Sequence, residues 1–233
     1  MSGGVAWLAL APLLQDLVGR EFTTYELVAG TIATAGAALI PDLDHPQATI
    51  AHTFGPISKF ASKITALLSG GHRQGTHSIL FAVGFGFLCY FVGLGSESSG
   101  SNLPAMILMF LLASFAFRGL NIVPPKTSGS LKGFIVLVEA AAITWGLQLL
   151  IESSETAQSG WWWLGIAGGL GAFVHLIGDA LTPEGVPFFY PIRMRISVPI
   201  ISRTGNIMEK GIISPLLTLA LIYLAWMTFA IGF

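Results

Sequence analysis

The sequence predicts an all-α fold, a polytopic transmembrane helix bundle of six or seven spans with a short interfacial helix in the loop 41–77. Three observations carry this expectation. Of the 233 residues, 53% are hydrophobic and only 10% are charged, with mean hydropathy +0.75; a soluble domain carries about 25% charged residues. Several apolar stretches are long enough to cross a hydrocarbon core about 30 Å thick, which takes roughly 20 residues in helix. The 28 glycines suit closely packed membrane helices better than a soluble helical protein.

The spans follow in order. Val5–Val18 and Tyr25–Ile40 are short, and the first lacks the basic leader and cleavage site of a signal peptide, so it reads as a membrane segment. Ser78–Gly95, Leu103–Val123, Gly133–Ile151 and Ile212–Phe233 meet the length requirement comfortably. Trp161–Leu181 is long enough too, but carries His175 and Asp179 near its end. Residues 1–233 form a single integral membrane domain with no internal repeat. Trp161, Trp162 and Trp163 read as an interfacial aromatic anchor, and Gly165, Gly168, Gly169 and Gly171 as sites of close helix approach. Cys89, the single cysteine, reads as a small buried hydrophobe.

Charge sets the orientation. Lys59, Lys63 and Arg73 fall in the segment 41–77, Lys126 and Lys132 in 124–132, and Arg193, Arg195, Arg203 and Lys210 in 182–211. The alternate loops hold only Glu97, Glu152 and Glu155. The positive-inside rule assigns the basic loops to the cytoplasm, with Arg118 snorkelling to that side and Arg20 as the exception. A net charge of −1 gives no basic face for nucleic acid.

In the first basic loop, Ile57, Phe60, Ala61, Ile64, Leu67 and Leu68 recur at helical spacing opposite Ser58, Lys59, Ser62 and Lys63. This amphipathic pattern fits a helix lying in the membrane interface, and equally one packed on the protein's own surface.

The same loops collect the residues that carry chemistry. All five histidines and three of the four aspartates fall in, or at the mouth of, the first and third basic loops. Pro41-Asp42-Leu43-Asp44-His45-Pro46 places two carboxylates and an imidazole where the chain leaves the membrane; they could share a divalent ion, or form a solvated loop with a proline stop. Gly71-His72-Arg73-Gln74-Gly75-Thr76-His77-Ser78 sets two histidines around an arginine. Thr76 or Ser78 could cap the following helix, but a cap needs neither histidine nor arginine. An arginine beside metal-ligating histidines suits a phosphate-handling site. His175 and Asp179 lie at i and i+4, on one helix face, a common arrangement for chelation; the alternative is a polar pair bonded to neighbouring helices. Glu184 follows as a further ligand or base, whereas His52 reads as a surface residue. No G-x-S-x-G elbow, Walker loop or dinucleotide fingerprint is present.

Taken together, Pro-Asp-x-Asp-His, Gly-His-Arg-x-x-Thr-His-Ser and His-x-x-x-Asp-x-x-Thr-x-x-Gly-Val resemble the YdjM-type membrane-bound metal-dependent hydrolases. The likeness covers about residues 35–95 and 165–195. It implies a multi-pass protein of the inner (plasma) membrane with hydrolase activity, and motif positions 41–46, 71–78 and 175–185 as the metal site. Carried over residue by residue, the implied metal ligands are Asp42, Asp44, His45, His72, His77, His175 and Asp179. Arg73, Thr76, Ser78, Thr182 and Gly185 are supporting positions. One departure is that members carry a histidine near the N-terminus, and none precedes His45 here.

The expected function is metal-dependent hydrolysis at the cytoplasmic face, with a lipid-like or phosphate-containing substrate and membrane lipid as partner. The expected cofactor is zinc, with manganese or magnesium as alternatives; seven candidate ligands exceed the needs of one ion. Asp42 or Glu184 is expected to serve as base, and Arg73 to clamp a phosphate oxygen. The rival readings are a metal-ion or proton-coupled transporter, which calls for midplane polar residues and an inverted repeat, and a non-catalytic membrane protein with a structural metal.

Overall fold

The computed structural model describes residues 1–120, 129–153, 160–200 and 209–231. Among the described residues the eight α-helices are α1 Ser2–Val18, α2 Thr24–Ala37, α3 Pro56–Ser69, α4 Ile79–Ser99, α5 Leu103–Leu120, α6 Gly129–Ser153, α7 Trp163–Ala180 and α8 Ser214–Trp226. Six helical segments, Thr24–Asp44, Ile79–Ser99, Leu103–Leu120, Leu131–Ile151, Trp163–Ala180 and Gly211–Ala230, are long and apolar enough to cross a membrane, and α1 is a shorter apolar helix beside them. This is the predicted polytopic all-α bundle. Lys126, Glu155 and Arg203, part of the charge pattern above, lie outside the described residues.

α7 occupies the centre, packed against α4, α2 and α1. The approach is close because side chains are missing where backbones meet. A Cβ on Gly171 would lie 2.5 Å from the Thr34 carbonyl oxygen of α2, and one on Gly36 would lie 1.9 Å from that of Leu112 on α5. With little hydrophobic driving force between helices in lipid, this intimate packing is what holds them together. Its consequence for the site is positional: it fixes the ends of α2 and α7 beside each other.

The tryptophans correct an expectation. Trp161 and Trp163 are buried, and Trp163 packs against Trp7 and Tyr25 with ring centroids 6.3 and 5.8 Å apart. They fill the core at the end of the bundle opposite His175 and Asp179 rather than anchoring in lipid. Arg20 lies at that end, over the Trp162 ring at 4.8 Å, and its guanidinium pairs with the buried Glu26. The one arginine that broke the charge pattern is thus neutralised by a carboxylate six residues on.

α3 forms where the amphipathic pattern predicted it. Gly70 ends it in the left-handed conformation, φ +81°. Its apolar side faces outward, with Ile57, Phe60, Leu67 and Leu68 exposed, while Ser58, Ser62 and Ser69 face the protein. Ser58 Oγ donates to the Ala51 carbonyl at 2.9 Å and accepts from Phe54 N at 3.0 Å. An outward apolar face on a membrane protein's surface helix belongs in the lipid interface.

Candidate metal centre

Three segments far apart in sequence meet where α2, α4 and α7 end. Asp42 and Asp44 come from the 3₁₀ turn Ile40–Asp44 that follows α2, and His72 and Arg73 from the turn after α3. His77 precedes α4, and His175 and Asp179 lie on the last turns of α7. Ser78 caps α4, accepting from Phe81 N at 3.1 Å, so the cap and the histidine before it are separate devices.

The central feature is a cage of four atoms. The Nε2 atoms of His77 and His175 face each other at 3.2 Å. Asp42 Oδ1 lies 3.8 and 3.6 Å from them, and Asp179 Oδ2 lies 3.4 and 3.7 Å from them. Four ligands about 2.0–2.1 Å from a tetrahedral zinc stand about 3.3–3.4 Å from one another. These five separations lie near that spacing; His77, His175 and Asp179 form the tight set, and Asp42 stands at its edge, against the two imidazoles. Asp179 Oδ2 is also buried without a hydrogen-bond partner, an expensive state for a carboxylate oxygen unless a cation completes it. The residues present therefore fit a small divalent ion. Among the described residues, two groups have ligand atoms within 4.8 Å of one another: His77, His175 and Asp179, and Asp42, His72 and His77.

Behind the cage stands Asp44, 1% exposed. Its Oδ1 pairs with His72 Nδ1 at 2.8 Å. Its Oδ2 accepts from Thr76 Oγ1 at 2.5 Å and Arg73 N at 3.1 Å, and lies 3.3 Å from His77 Nδ1. A carboxylate on Nδ1 fixes the imidazole so that Nε2 is presented to a metal. The sequence reading grouped Asp44 with the ligands; the structure gives both its oxygens to protein partners.

Arg73 is the second organiser. It is the one non-glycine residue with positive φ among the described residues, at +56°, and it is buried. Its Nη2 donates to Asp179 Oδ1 at 2.9 Å, and its Nη1 donates to Glu184 Oε2 at 2.6 Å and to Thr182 Oγ1 at 3.4 Å. Both Nη atoms are engaged by protein acceptors, so Arg73 holds Asp179 in place, while its Nε is buried without a partner. Glu184 sits at the rim, 72% exposed, with its carboxylate on Arg73. His45 stacks on His72 with ring centroids 4.5 Å apart, at the outer edge of the cluster. His52 is exposed and apart, as expected.

One supporting device shows in the sequence only through Thr182 and Gly185. The chain after α7 folds back on the helix end: Val198 N donates to Ala180 O at 2.8 Å, Ile200 N to Leu181 O at 3.0 Å, and Ser197 Oγ to Thr182 O at 2.7 Å. These donors satisfy carbonyls that a helix C-terminus leaves open. Val186 and Ile196 pair as a bridge that closes the loop. Gly185 makes the turn possible, since its φ is +58° and a Cβ there would lie 2.5 Å from Ile196 O.

The electrostatics are those of an acidic cage. Burial opposes charging of His77, but hydrogen bonds to Asp42 and Asp44 and the charges of Asp44 and Asp179 outweigh it, raising its pKa to about 9. A raised folded-state pKa stabilises the fold fully below the ordinary value of about 6.5, and that contribution is lost as pH rises through about 9. Chelator-treated protein is therefore expected to lose thermal stability between about pH 6.5 and 9. Metal-loaded protein should lack this loss, because the metal stands in for the proton. Melting curves in the two states across that range check this, and identical slopes would contradict it.

A model of the YdjM inner membrane protein family matches residues 1–232. YvsG of Bacillus subtilis is 26% identical over 85% of this chain and 80% of its own length. The inner membrane protein YdjM of Escherichia coli is 25% identical over 81% of this chain, and the match spans 61% of that relative's length. No solved structure matches the chain.

Proposed function

Since the chain belongs to the YdjM inner membrane protein family, we propose that it is a metal-dependent hydrolase whose centre lies at the cytoplasmic face, acting on a lipid phosphate ester. The observation that carries this reading is the cage of His77 Nε2, His175 Nε2, Asp42 Oδ1 and Asp179 Oδ2, with Asp179 Oδ2 otherwise unpartnered. Zinc suits two imidazoles and two carboxylates. A bound divalent metal supplies an activated water and polarises the ester oxygen.

The chain's own residues do the rest. His77 and His175 present Nε2 from opposite walls, with Asp44 holding the His77 ring. Arg73 holds Asp179 by its other oxygen. Asp42, about a third exposed, is the cage carboxylate most open to the outside and the residue placed to take a proton from an attacking water. Glu184 at the rim is a second base. The clustering of these groups at one end of the bundle favours hydrolysis over transport, which calls for polar residues at the midplane. The cytoplasmic assignment rests on the basic loops that carry the cage residues.

The test is metal content of the detergent-purified protein by elemental mass spectrometry, beside a His175→Ala, Asp179→Ala variant, followed by a screen of lipid phosphate esters. The expected result is about one or more equivalents of zinc or manganese, lost in the variant together with ester turnover. Wild-type protein that stays metal-free after reloading would overturn the reading. Metal without any ester turnover would leave a structural ion.

A further inference from the structure

The cage opens into a cavity of about 480 Å³ that joins the polar groups to apolar walls at the same end of the bundle. Asp42, His175, Asp179 and Thr182 form one end, while Ala38, Leu39, Ala116, Val174, Ile177 and Leu217 line the remainder. These apolar residues come from the turn after α2 and from the cage-side ends of α5, α7 and α8, so the cavity lies between helix ends beside the cage. Its size falls within the range of ligand pockets, about 300–1,000 Å³. A water-soluble substrate would have no use for an apolar limb of this kind.

Resting on the hydrolase reading above, we infer that this limb holds the first part of a hydrocarbon chain, and that the substrate class is a single-chain amphiphile whose anionic head sits at the cage. Two features argue for that occupant. The polar end is joined without interruption to apolar walls, which is the division of an amphiphile into head and tail. Among the described residues no lysine or arginine lines the cavity, while the carboxylates of Asp42 and Asp179 do, so divalent metal in the cage favours an anionic head there. Chain binding and metal binding are therefore coupled: the alkyl portion contributes apolar contact, while the head depends on the ion.

Gly178 supplies the means to block the limb. It lines the cavity, and a Cβ added there meets no atom within 4 Å. The backbone at Gly178 thus has space for a Cβ, and Gly178→Phe directs a ring toward the space otherwise left to the chain. Leu217→Trp on α8 narrows the same limb from the opposite wall, away from the cage.

The experiment uses the full-length, metal-loaded protein in lipid nanodiscs with a dodecyl phosphate carrying a mid-chain diazirine. Crosslinked peptides are mapped by mass spectrometry, and metal content is measured on every variant. The expected result is labelling of Leu39, Ile177 or Leu217 that unlabelled dodecyl phosphate competes away and chelation weakens. Gly178→Phe and Leu217→Trp should each reduce it several-fold with metal content unchanged. Labelling confined to outward residues such as Leu80 and Phe87 of α4, without competition, is bulk lipid contact and overturns the inference. So does unchanged labelling in both variants. Competed cavity labelling without ester turnover would retain the chain site and remove the hydrolase reading. Turnover of soluble and long-chain phosphate esters at equal rates would do the reverse.

Discussion

Asp44→Ala is expected to be the most damaging single substitution in the site. It removes the acceptor for His72, Arg73 N and Thr76 and the partner of His77 Nδ1, at a position 1% exposed. Breaking one member of a buried charged network leaves the other members uncompensated, at a cost of about 3–5 kcal/mol. That is a large share of a typical folding free energy, so a pronounced drop in melting temperature or loss of folded protein is expected in detergent. Asp44→Asn keeps an acceptor oxygen and should fall between the two. The check is thermal unfolding of the three proteins side by side. A wild-type melting temperature in Asp44→Ala would mean that the turn carrying His72 and Arg73 is held by something other than Asp44.

Arg73→Gln is expected to weaken metal binding rather than the fold as a whole. Groups that orient a metal ligand from behind are worth about 10–100-fold in affinity. Arg73 does this for Asp179, and its loss leaves that carboxylate free to rotate away from His77 and His175. The left-handed backbone at Arg73 adds a control. Arg73→Gly relaxes the turn while removing the guanidinium. It should bind metal as poorly as Arg73→Gln if the side chain is what matters. Isothermal titration with zinc separates the cases. Full affinity in Arg73→Gly would assign the role to the backbone instead.

The bundle was legible because lipid imposes simple demands. Apolar runs such as Ile79–Ser99 and Leu103–Leu120 have few alternatives, and the amphipathic spacing of Pro56–Ser69 gave α3 its place. His77, His175, Asp42 and Asp179 were legible as candidates because ionisable groups at the ends of spans need a reason to be there. Sequence left the division of labour among them hidden. Asp44 and Asp42 are two residues apart and chemically identical, and only the fold turns one into the cage and the other behind it. The inward turn of Trp161 and Trp163 was hidden for the same reason: an aromatic run at a helix end looks alike whether it faces lipid or Trp7. The strap from Val186 to Ile200 depends mainly on hydrogen bonds between backbone atoms, which leave little residue signature beyond Gly185 and Ser197.

α3 has a consequence for how any membrane-borne substrate is met. Its outward row of Ile57, Phe60, Leu67 and Leu68 is suited to the leaflet, and the chain passes from it through Gly70 and Gly71 directly into His72 and Arg73. In the proposed function the chemistry would thereby be moored within the headgroup layer, a thin two-dimensional solvent. Encounter there is by sideways diffusion, and what counts as concentration is the mole fraction of substrate in the sheet. Diluting the bilayer with inert lipid would slow such a protein even when the amount of substrate in the tube is unchanged.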